Sequence, residues 1–350
     1  MPNIESKYFR DINISDEFFN SLKADYKEFT EWFVKKSSKD EPVFVLFEDM
    51  KLMAFLYLKV ENDLDEKIEP NLKLKRRLKV GTFKIDAHGT KLGERFIKKI
   101  FDVAIHKKIH EIYVTIFEKH KGLLTLLETF GFYRHGTKST QNGTELVLVK
   151  DIYNLKNNIL KDYPIIQTDN KNIYGLSIYP MFHTRLFSDS ILRNESVDIL
   201  KDTSHTNSIH KIYICGMKDA EKFKKEDIIL IYRTKDRDPA RFRSVISSIC
   251  IIEEVENMNN FQNEEEYLKY CEPYSIFSID ELRGFYRTKK YPFIIKMTYN
   301  IALKKRVTNG QLIDNFSMPY NQYWGIFDVT HEQFNKIIKS GEVDESIIIN

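Results

Sequence analysis

The clearest pattern in the sequence is a stripe of apolar residues between Leu92 and Ile105, where such residues recur every three to four positions. Charged residues occupy most of the positions between them. Because an α-helix turns once in about 3.6 residues, this spacing puts the apolar side chains on one face and predicts an amphipathic helix. A loop that contains Gly89 and Gly93 comes directly before the helix, and a strand-like run over residues 78–85 comes before the loop.

A second strand and a second helix follow. Residues 112–117 are rich in β-branched and aromatic side chains, and residues 123–130 have helical spacing and end at Gly131. Residues 78–132 are therefore predicted to form a strand, a loop, a helix, a strand and a helix in that order. The alternative interpretation is a unit that only packs a core and whose glycines lie in ordinary turns.

The glycine-bearing loop has the properties of an anion site. The first amides of a helix have no partner within the helix and carry partial positive charge. Gly89 and Gly93 let the backbone approach a ligand closely, and Lys91 adds a cation. A P-loop is excluded because Gly93 is followed by Glu94 and Arg95 instead of Lys and Ser or Thr. A dinucleotide fingerprint is excluded because it needs three glycines.

These residues resemble motif A of the GNAT family of N-acetyltransferases, in which a strand, a loop of the pattern Gln/Arg-x-x-Gly-x-Gly/Ala and a helix bind the coenzyme A pyrophosphate. The six positions run here from His88 to Gly93, and only the last glycine matches strictly. His88 replaces the first residue, and Lys91 stands where the inner glycine usually is. The second strand, the second helix and the ending Gly131-Phe132 resemble motif B of the same family.

The resemblance covers most of residues 1–150 and implies an α/β (α+β) fold with a GNAT-like mixed sheet flanked by helices. It also implies an N-acetyltransferase that uses acetyl-CoA as acyl donor, with an unknown amine as acceptor. The cofactor-binding residues that it implies are Phe83, Lys84, Ile85, His88, Gly89, Thr90, Lys91, Leu92, Gly93 and Glu94.

The acid–base groups are harder to assign. Many members of the family carry a tyrosine four residues before the Gly-Phe ending, where this chain has Leu127. Since an amine must lose a proton to attack a thioester, a base is needed, and Glu118 after the second strand is the preferred candidate. Tyr113 and Tyr133 are further catalytic candidates. If these three are only a surface carboxylate and core tyrosines, the domain binds the cofactor without catalysis.

The segment before the cofactor strand agrees with the same family in the order of its elements. Residues 15–36 have a helical pattern rich in phenylalanine, and residues 42–47 and 52–58 flank a short turn, as in a β-hairpin. Residues 61–79 are first acidic and then basic. They are either a solvated loop or a lip that gathers an anionic partner.

The second half of the chain is richer in strands. The strand-like runs cover residues 173–180, 211–215, 227–232, 244–253 and 291–297, and a strand and a helix are predicted within residues 323–339. Several runs are apolar on both faces, as in a closed barrel. Residues 176–180 resemble the Ser-Ile-x-Pro start of ASCH-type, PUA-like β-barrels. We therefore predict a connecting helix and linker over residues 151–172 and a PUA-like barrel domain over residues 173–350.

Barrels of this type often bind RNA or a modified base, so the resemblance implies an RNA partner, such as a tRNA or a ribonucleoprotein that carries the acceptor. The candidate nucleic-acid-binding residues are Arg233, Lys235, Arg237, Arg241, Arg243 and Lys289. Neighbouring aromatic side chains suit base faces, as the cations suit phosphates. The alternative is that these cations are solvated strand ends of a barrel with an aromatic core.

Composition sets the outer limits. The chain has 350 residues, enough for two domains, and a net charge of +3, which does not by itself predict nucleic-acid binding. No apolar run reaches the roughly 20 residues of a membrane span, and the N-terminus has no apolar signal core, so we expect a cytoplasmic protein without a membrane partner. The three cysteines are expected to be buried thiols. His106 and His110 lack the glutamate of a zinc protease motif, so no metal is expected.

Three functions remain open on the sequence. The first is an N-acetyltransferase whose C-terminal domain presents an RNA-linked substrate. The second is a non-catalytic acyl-CoA sensor or RNA-binding regulatory module. The third is a small-molecule amine acetyltransferase with an appended barrel.

Overall fold

The computed structural model describes residues 4–63, 65–86, 91–187 and 208–350. The chain divides into two compact units, unit 1 (Met1–Asp162) and unit 2 (Tyr163–Asn350). The division falls inside the predicted connecting segment 151–172, where turns replace the expected helix. The Asp162 carboxylate accepts the backbone N–H groups of Lys156 at 2.6 Å and Asn158 at 2.9 Å, and these bonds favour a turn.

Unit 1 is a mixed sheet flanked by helices, so the predicted α/β class is confirmed. Its elements are β1 (Glu5–Tyr8), α1 (Asn20–Asp25), α2 (Phe29–Ser37), β2 (Pro42–Glu48), β3 (Lys51–Glu61), β4 (Ile68–Glu69), β5 (Arg77–Ile85), α3 (Leu92–His106), β6 (Glu111–Ile116), α4 (Lys121–Thr129), β7 (Tyr133–Thr140) and β8 (Gly143–Asp151). The strand order is β1-β2-β3-β5-β6-β8-β7-β4, and the β5–β6 pair is parallel.

Helices cover both faces of this sheet. On β5 the Phe83 ring lies 6.1 Å from the Phe96 ring of α3, whereas the Lys84 ammonium donates to the Ser21 hydroxyl of α1 at 2.8 Å. Because successive strand residues point to opposite faces, α3 and α1 lie on opposite sides of the sheet. The α1–α2 side has a core rich in aromatic rings, including Phe19 and Phe55, which are fully buried.

The predicted hairpin is formed by β2 and β3. Asp49 and Met50 join the two strands, with φ angles of 47° and 67°. Two successive residues in the left-handed region are typical of a type I′ turn, whose twist matches that of the flanking strands. The second turn residue is a methionine, whereas glycine is usual at this position, so the sequence alone does not predict this type of turn.

Unit 2 is built on a second mixed sheet. Its elements are β9 (Ile166–Gln167), β10 (Ile173–Ile178), α5 (Pro180–Leu186), β11 (His210–Cys215), β12 (Ile228–Arg233), α6 (Ala240–Arg243), β13 (Val245–Asn257), α7 (Glu264–Cys271), α8 (Ile279–Thr288), β14 (Phe293–Thr308), α9 (Asn309–Asp314), β15 (Ile326–Asp328), α10 (His331–Ser340) and β16 (Ile348–Ile349). Every strand-like run predicted in this half lies on one of these strands.

The six-stranded sheet of unit 2 has the order β11-β14-β13-β12-β10-β15. Within the described residues its two end strands, β11 and β15, do not pair with each other, so a closed barrel is not confirmed. The PUA-like assignment stays a prediction. The cysteines are free and buried, as expected, and burial raises the pKa of Cys215 to about 11 and that of Cys271 to about 12. Across the described ranges, the helices are all too short or too polar to cross a bilayer.

Candidate active-site cavity

The central feature of unit 1 is the separation of its two parallel strands. β5 pairs with β6 over three residues, from Leu78 opposite Ile112 to Val80 opposite Val114, and the pairing ends there. The following part of β5, Thr82 to Ile85, pairs only with β3 on its other side. The backbone N–H and C=O groups that face β6 beyond Val80 are therefore available to a ligand.

A β-bulge marks the point of separation. Tyr57 of β3 is opposite Thr82 and the next residue, Leu58, is opposite Val80, so Gly81 is the extra residue. A Cβ atom on Gly81 would lie 2.7 Å from Cδ1 of Tyr57, which is closer than van der Waals contact permits. Glycine is thus required by the approach of the Tyr57 ring. The bulge bends β5 away from β6.

The parted strands open on a cavity of about 1190 Å³. Its wall includes β5 from Lys79 to Ile85, β6 from Val114 to Ile116, the start of α3, the start of α4, and residues of α1 and α2. Pockets for a single small ligand usually measure about 300–1,000 Å³, so this cavity has room for two reactants.

The N-terminus of α3 forms one end of the cavity. Lys91, Gly93 and Glu94 line it, and the first amides of this 15-residue helix add partial positive charge. A Cβ atom on Gly93 would lie 2.7 Å from Cδ2 of Leu126, so this glycine also permits close packing of α3 on α4. From the sequence, glycine at this position was expected only to let the backbone approach an anion closely.

The other predicted cofactor-binding residues are divided. Phe83, Lys84 and Ile85 line the cavity, whereas Leu92 is buried in the core. The Lys84 ammonium is already held by the Phe18 carbonyl and the Ser21 hydroxyl of the α1 region. His88, Gly89 and Thr90 lie outside the described residues.

An imidazole–carboxylate pair lies on the cavity wall. His120 precedes α4, Asp25 ends α1, and both line the cavity. His120 Nε2 is 3.2 Å from Asp25 Oδ2, and Asp25 also binds the Lys119 ammonium. The Asp25 side chain is 10% exposed, so it is fixed in place. When Nε2 donates to Asp25, Nδ1 keeps the lone pair that can accept a proton.

Neither residue of this pair was among the catalytic candidates predicted from the sequence. A signal for His120 was present, since it stands directly between the predicted strand over residues 112–117 and the predicted helix over residues 123–130. Asp25, 95 positions earlier in the chain, carried no signal of its own.

The three predicted catalytic residues lie outside the cavity lining. Glu118 has a 61% exposed side chain and pairs with Lys121 at 3.2 Å and with Arg134 at 3.8 Å. Tyr113 is buried and donates to Glu61, and the combination of burial and this carboxylate raises its pKa. Tyr133 is 43% exposed. Leu127, at the usual tyrosine position, is fully buried.

The predicted nucleic-acid contacts of unit 2 are mostly neutralised. Arg233 is only 1% exposed, so its predicted contact with a phosphate is not supported by its position. Lys235 pairs with Asp238 at 2.5 Å, Arg241 pairs with Asp314, and Arg243 pairs with Asp236. Lys289 Nζ lies 3.3 Å from the centroid of the Tyr286 ring, and Arg237 is exposed.

In the part of the chain that the structure describes, no group of three or more His, Cys, Asp or Glu side chains could hold a metal ion.

Neither a protein-family model nor a curated protein matches the sequence. Among solved structures, the N-terminal part of the chain is similar to an N-acetyltransferase from Staphylococcus aureus Mu50, with 14% identity and a TM-score of 0.34, over 43% of this chain and 97% of that one. It is similar to an IAA acetyltransferase from Bacillus cereus ATCC 14579, with 11% identity and a TM-score of 0.33, over 43% and 99%. It is also similar to an acetyltransferase of the GNAT family from Streptococcus pneumoniae, with 11% identity and a TM-score of 0.31, over 43% of this chain and 99% of that one.

Proposed function

We propose that unit 1 is an N-acetyltransferase that moves an acetyl group from acetyl-CoA to an amine. The observation that supports this most is the free edge of β5 beyond Val80, which borders the cavity and leads to the N-terminus of α3. A strand edge and a helix start in succession suit a ligand that is an extended amide chain at one end and a diphosphate at the other. Coenzyme A has both parts.

The residues present fit this donor. The backbone of β5 from Gly81 to Ile85 would hydrogen-bond the pantetheine arm in the way an added strand does. The first amides of α3, with Lys91, would hold the diphosphate. When bound, the donor supplies an activated thioester. Every other step falls to side chains of the cavity.

We assign the role of general base to His120. An imidazole exchanges protons near neutral pH, and the bond to Asp25 holds its ring in one orientation. Nδ1 would take the proton from the attacking amine, and Asp25 would stabilise the imidazolium that forms. As the new carbon–nitrogen bond replaces the carbon–sulfur bond of the thioester, the imidazolium would give this proton to the departing thiolate and return to its neutral form. Lys119, bound to the same carboxylate, limits the negative charge around Asp25.

The RNA-linked acceptor stays a prediction, because four of the six cations expected to carry it are engaged: Arg233 is buried, and Lys235, Arg241 and Arg243 pair with carboxylates. Two further expectations also stay predictions: that unit 2 is a PUA-like barrel, and that the protein is cytoplasmic. An acyl-CoA sensor without catalysis differs from the proposed enzyme in one respect: it binds the donor but releases no thiol in the presence of amines.

Two measurements on the full chain test the proposal. Calorimetric titration with coenzyme A should show binding at micromolar to low millimolar concentration, and release of free thiol from acetyl-CoA should depend on an added amine. Gly93→Glu should abolish binding, since it puts a carboxylate at the helix start and crowds Leu126.

Gly284→Glu is the matched control. Gly284 lies on α8 of unit 2 with no atom within 4 Å of an added Cβ, so this variant adds the same side chain where there is room. Binding of coenzyme A that survives Gly93→Glu, or no binding by the unmodified chain at millimolar concentration, would refute the proposal. Binding without amine-dependent thiol release would replace the enzyme by the sensor.

A further inference from the structure

A cluster of charged side chains lies at the end of the cavity remote from α3. It consists of three lysines and two acids, and all but Asp65 line the cavity: Lys59, Glu61, Asp65, Lys79 and Lys138. Lys59 Nζ donates to Glu61 Oε1 at 2.9 Å, and Lys138 Nζ donates to Asp65 Oδ2 at 2.5 Å. We call this group the lysine cluster.

Lys79 is the central member of the lysine cluster. Its ammonium lies 3.7 Å from Glu61 Oε1 and 3.9 Å from Asp65 Oδ2, which are ion-pair distances but too long for hydrogen bonds. Glu61 also accepts from the Tyr113 hydroxyl, so its oxygens are engaged by other donors. Among the described residues, none accepts a hydrogen bond from Lys79 Nζ.

The lysine cluster carries an excess of positive charge. Three ammonium groups face two carboxylates, which leaves a net charge of +1 on side chains that are 16–49% exposed. A mostly buried ammonium that donates no hydrogen bond to a described residue is costly unless a ligand supplies an acceptor. Burial lowers the pKa of Lys79 in spite of the attraction of Glu61 and Asp65, and a bound anion would oppose this shift.

The part of the wall near His120 has a net negative charge. Three carboxylates, those of Asp25, Glu28 and Glu145, lie there with the two ammonium groups of Lys119 and Lys121, and Glu145 accepts a hydrogen bond from the Tyr26 hydroxyl at 2.6 Å. Carboxylates on this side favour an ammonium group on its way to the base. The cavity therefore offers negative charge to one end of an acceptor and positive charge to the other.

We propose that the acceptor is a small amine that also carries one carboxylate, of the kind found in amino acids, and that Lys79 binds this carboxylate. The inference rests on the proposed acetyl transfer. Lys79 stands two residues before Gly81 on β5, or about 7 Å along the strand. Since the thioester end of the pantetheine arm would lie at Gly81, the amine that it acetylates and the carboxylate that Lys79 binds are separated by only a few bonds. The rings of Tyr26, Trp32 and Tyr57 line the same cavity and offer apolar contact to the side chain of such an acceptor.

The test compares three acceptors of similar shape: phenylalanine, phenylalaninamide and phenethylamine. Thiol release from acetyl-CoA should be at least tenfold more efficient, as kcat/KM, with phenylalanine than with the two acceptors that lack a carboxylate. Lys79→Gln should raise KM for phenylalanine about tenfold or more, leave kcat within about threefold, and leave the other two acceptors unchanged. Lys79→Arg should restore the preference, because it restores the positive charge.

The matched control is Lys51→Gln, at an exposed lysine of the same strand pair, which should change nothing. Melting temperature and coenzyme A affinity are measured for each variant, so a folding defect is separated from a lost contact. Equal or better turnover of phenethylamine, or an unchanged KM for phenylalanine in Lys79→Gln, overturns the carboxylate site but not the acetyl transfer. No coenzyme A binding and no turnover of any amine overturns the acetyl transfer, and the carboxylate site with it.

Discussion

In the large sheet of each unit, as far as the structure describes it, one strand pair is parallel and the others are antiparallel, and the two parallel pairs differ in how far they stay together. In unit 2, β10 and β12 stay paired over six residues, from Ile173 opposite Ile228 to Ile178 opposite Arg233. In unit 1, β5 and β6 separate after three. A parallel pair that stays closed is part of a core, whereas one that opens exposes unpaired backbone to a ligand.

A glycine lies in each pair and has a different role there. On β5, Gly81 is the bulged residue, and the Tyr57 ring occupies the space beside it. On β10, Gly175 lies under the Phe327 ring of the neighbouring strand β15, which an added Cβ would overlap. In the first case the missing side chain permits a bend in the strand, and in the second it lets the Phe327 ring lie directly on the backbone of β10.

The largest expected effect comes from the side of the open pair. His120→Gln should lower kcat for amine acetylation by about 10²- to 10⁴-fold, the usual contribution of a general base, because no neighbouring group replaces the lost proton acceptor. The loss is expected because the amide of glutamine cannot accept the proton of the attacking amine. The affinity for coenzyme A should stay within a few-fold, and the measurement is steady-state thiol release beside a coenzyme A titration.

His135→Gln is the control for this prediction. His135 is exposed and bonds to the Pro70 carbonyl at 2.9 Å, outside the cavity lining, so kcat should not change. If kcat falls by less than about threefold in His120→Gln, His120 is not the general base, and the amine loses its proton to water or enters the cavity already neutral. The open pair would then bind the donor without supplying acid–base chemistry.

The closed pair should be the more sensitive of the two to a single added methyl group. Gly175→Ala forces a Cβ into the Phe327 ring and should destabilise unit 2 by about 1–3 kcal/mol, the usual cost of overpacking. Gly81→Ala meets only the edge of the Tyr57 ring at 2.7 Å and borders the cavity, so its cost should be smaller. Its effect should instead appear as weaker coenzyme A binding.

Intrinsic fluorescence can separate the two units in this experiment. The chain has two tryptophans, Trp32 in unit 1 and Trp324 in unit 2. Trp324 stacks on Tyr232 with ring centroids 5.2 Å apart, so its emission should report unfolding of the closed pair. Denaturant titrations in Trp32→Phe and Trp324→Phe backgrounds give each unit its own transition. If Gly175→Ala shifts only the unfolding transition reported by Trp32, the substitution destabilises unit 1 instead of unit 2, and the predicted sensitivity of the closed pair is wrong.

A pH dependence should distinguish the closed pair next. His183 is fully buried against the sheet of unit 2, with Nε2 2.7 Å from the Ser247 hydroxyl, and desolvation, aided by Arg233 and Arg306, lowers its pKa from 6.5 to about 3. The unfolded chain therefore binds the proton first as pH falls. The stability contributed by neutral His183 is complete above pH 6.5 and is lost toward pH 3, by about 2 kcal/mol at pH 5.

The check is a denaturant titration of the Trp32→Phe chain at pH 7.5 and pH 5, beside the same titration of a His183→Gln variant. Glutamine keeps a polar contact with Ser247 but does not titrate in this range. The variant should lose most of the difference between the two pH values. An equal difference in both chains would place the responsible group elsewhere in unit 2.

Local periodicity was enough to predict the central elements of unit 1, whereas the helical pattern over residues 15–36 forms two helices, α1 and α2, and four strands (β1, β4, β7 and β8) were not predicted. The strand predicted over residues 78–85 is β5, the helix from Leu92 is α3, and the hairpin is β2 and β3. These elements follow from spacing over a few residues, which a sequence displays directly. The strand runs of unit 2 were predicted for the same reason.

Contacts between distant residues could not be predicted in this way. The pairing of His120 with Asp25 and the contact of Gly93 with Leu126 both depend on how elements pack, not on the residues beside them. Arg233 looked like a surface cation in a basic stretch. It is buried beside His183 of α5, whose pKa it helps to lower, and its guanidinium lies near the carbonyls of Thr234 and Arg243.

The smallest expected effect concerns Glu118, the base that the sequence favoured. It stands only two positions before His120, but the turn in which the His120 N–H donates to the Phe117 carbonyl at 3.1 Å separates their directions. His120 lines the cavity, whereas Glu118 lies in solvent with Lys121 and Arg134. Exposed ion pairs of this kind contribute about 0–1 kcal/mol. Glu118→Gln should therefore leave kcat, KM and the melting temperature nearly unchanged. If Glu118→Gln lowers kcat as much as His120→Gln does and displaces the pH optimum, then Glu118, outside the cavity lining, takes part in the proton transfer.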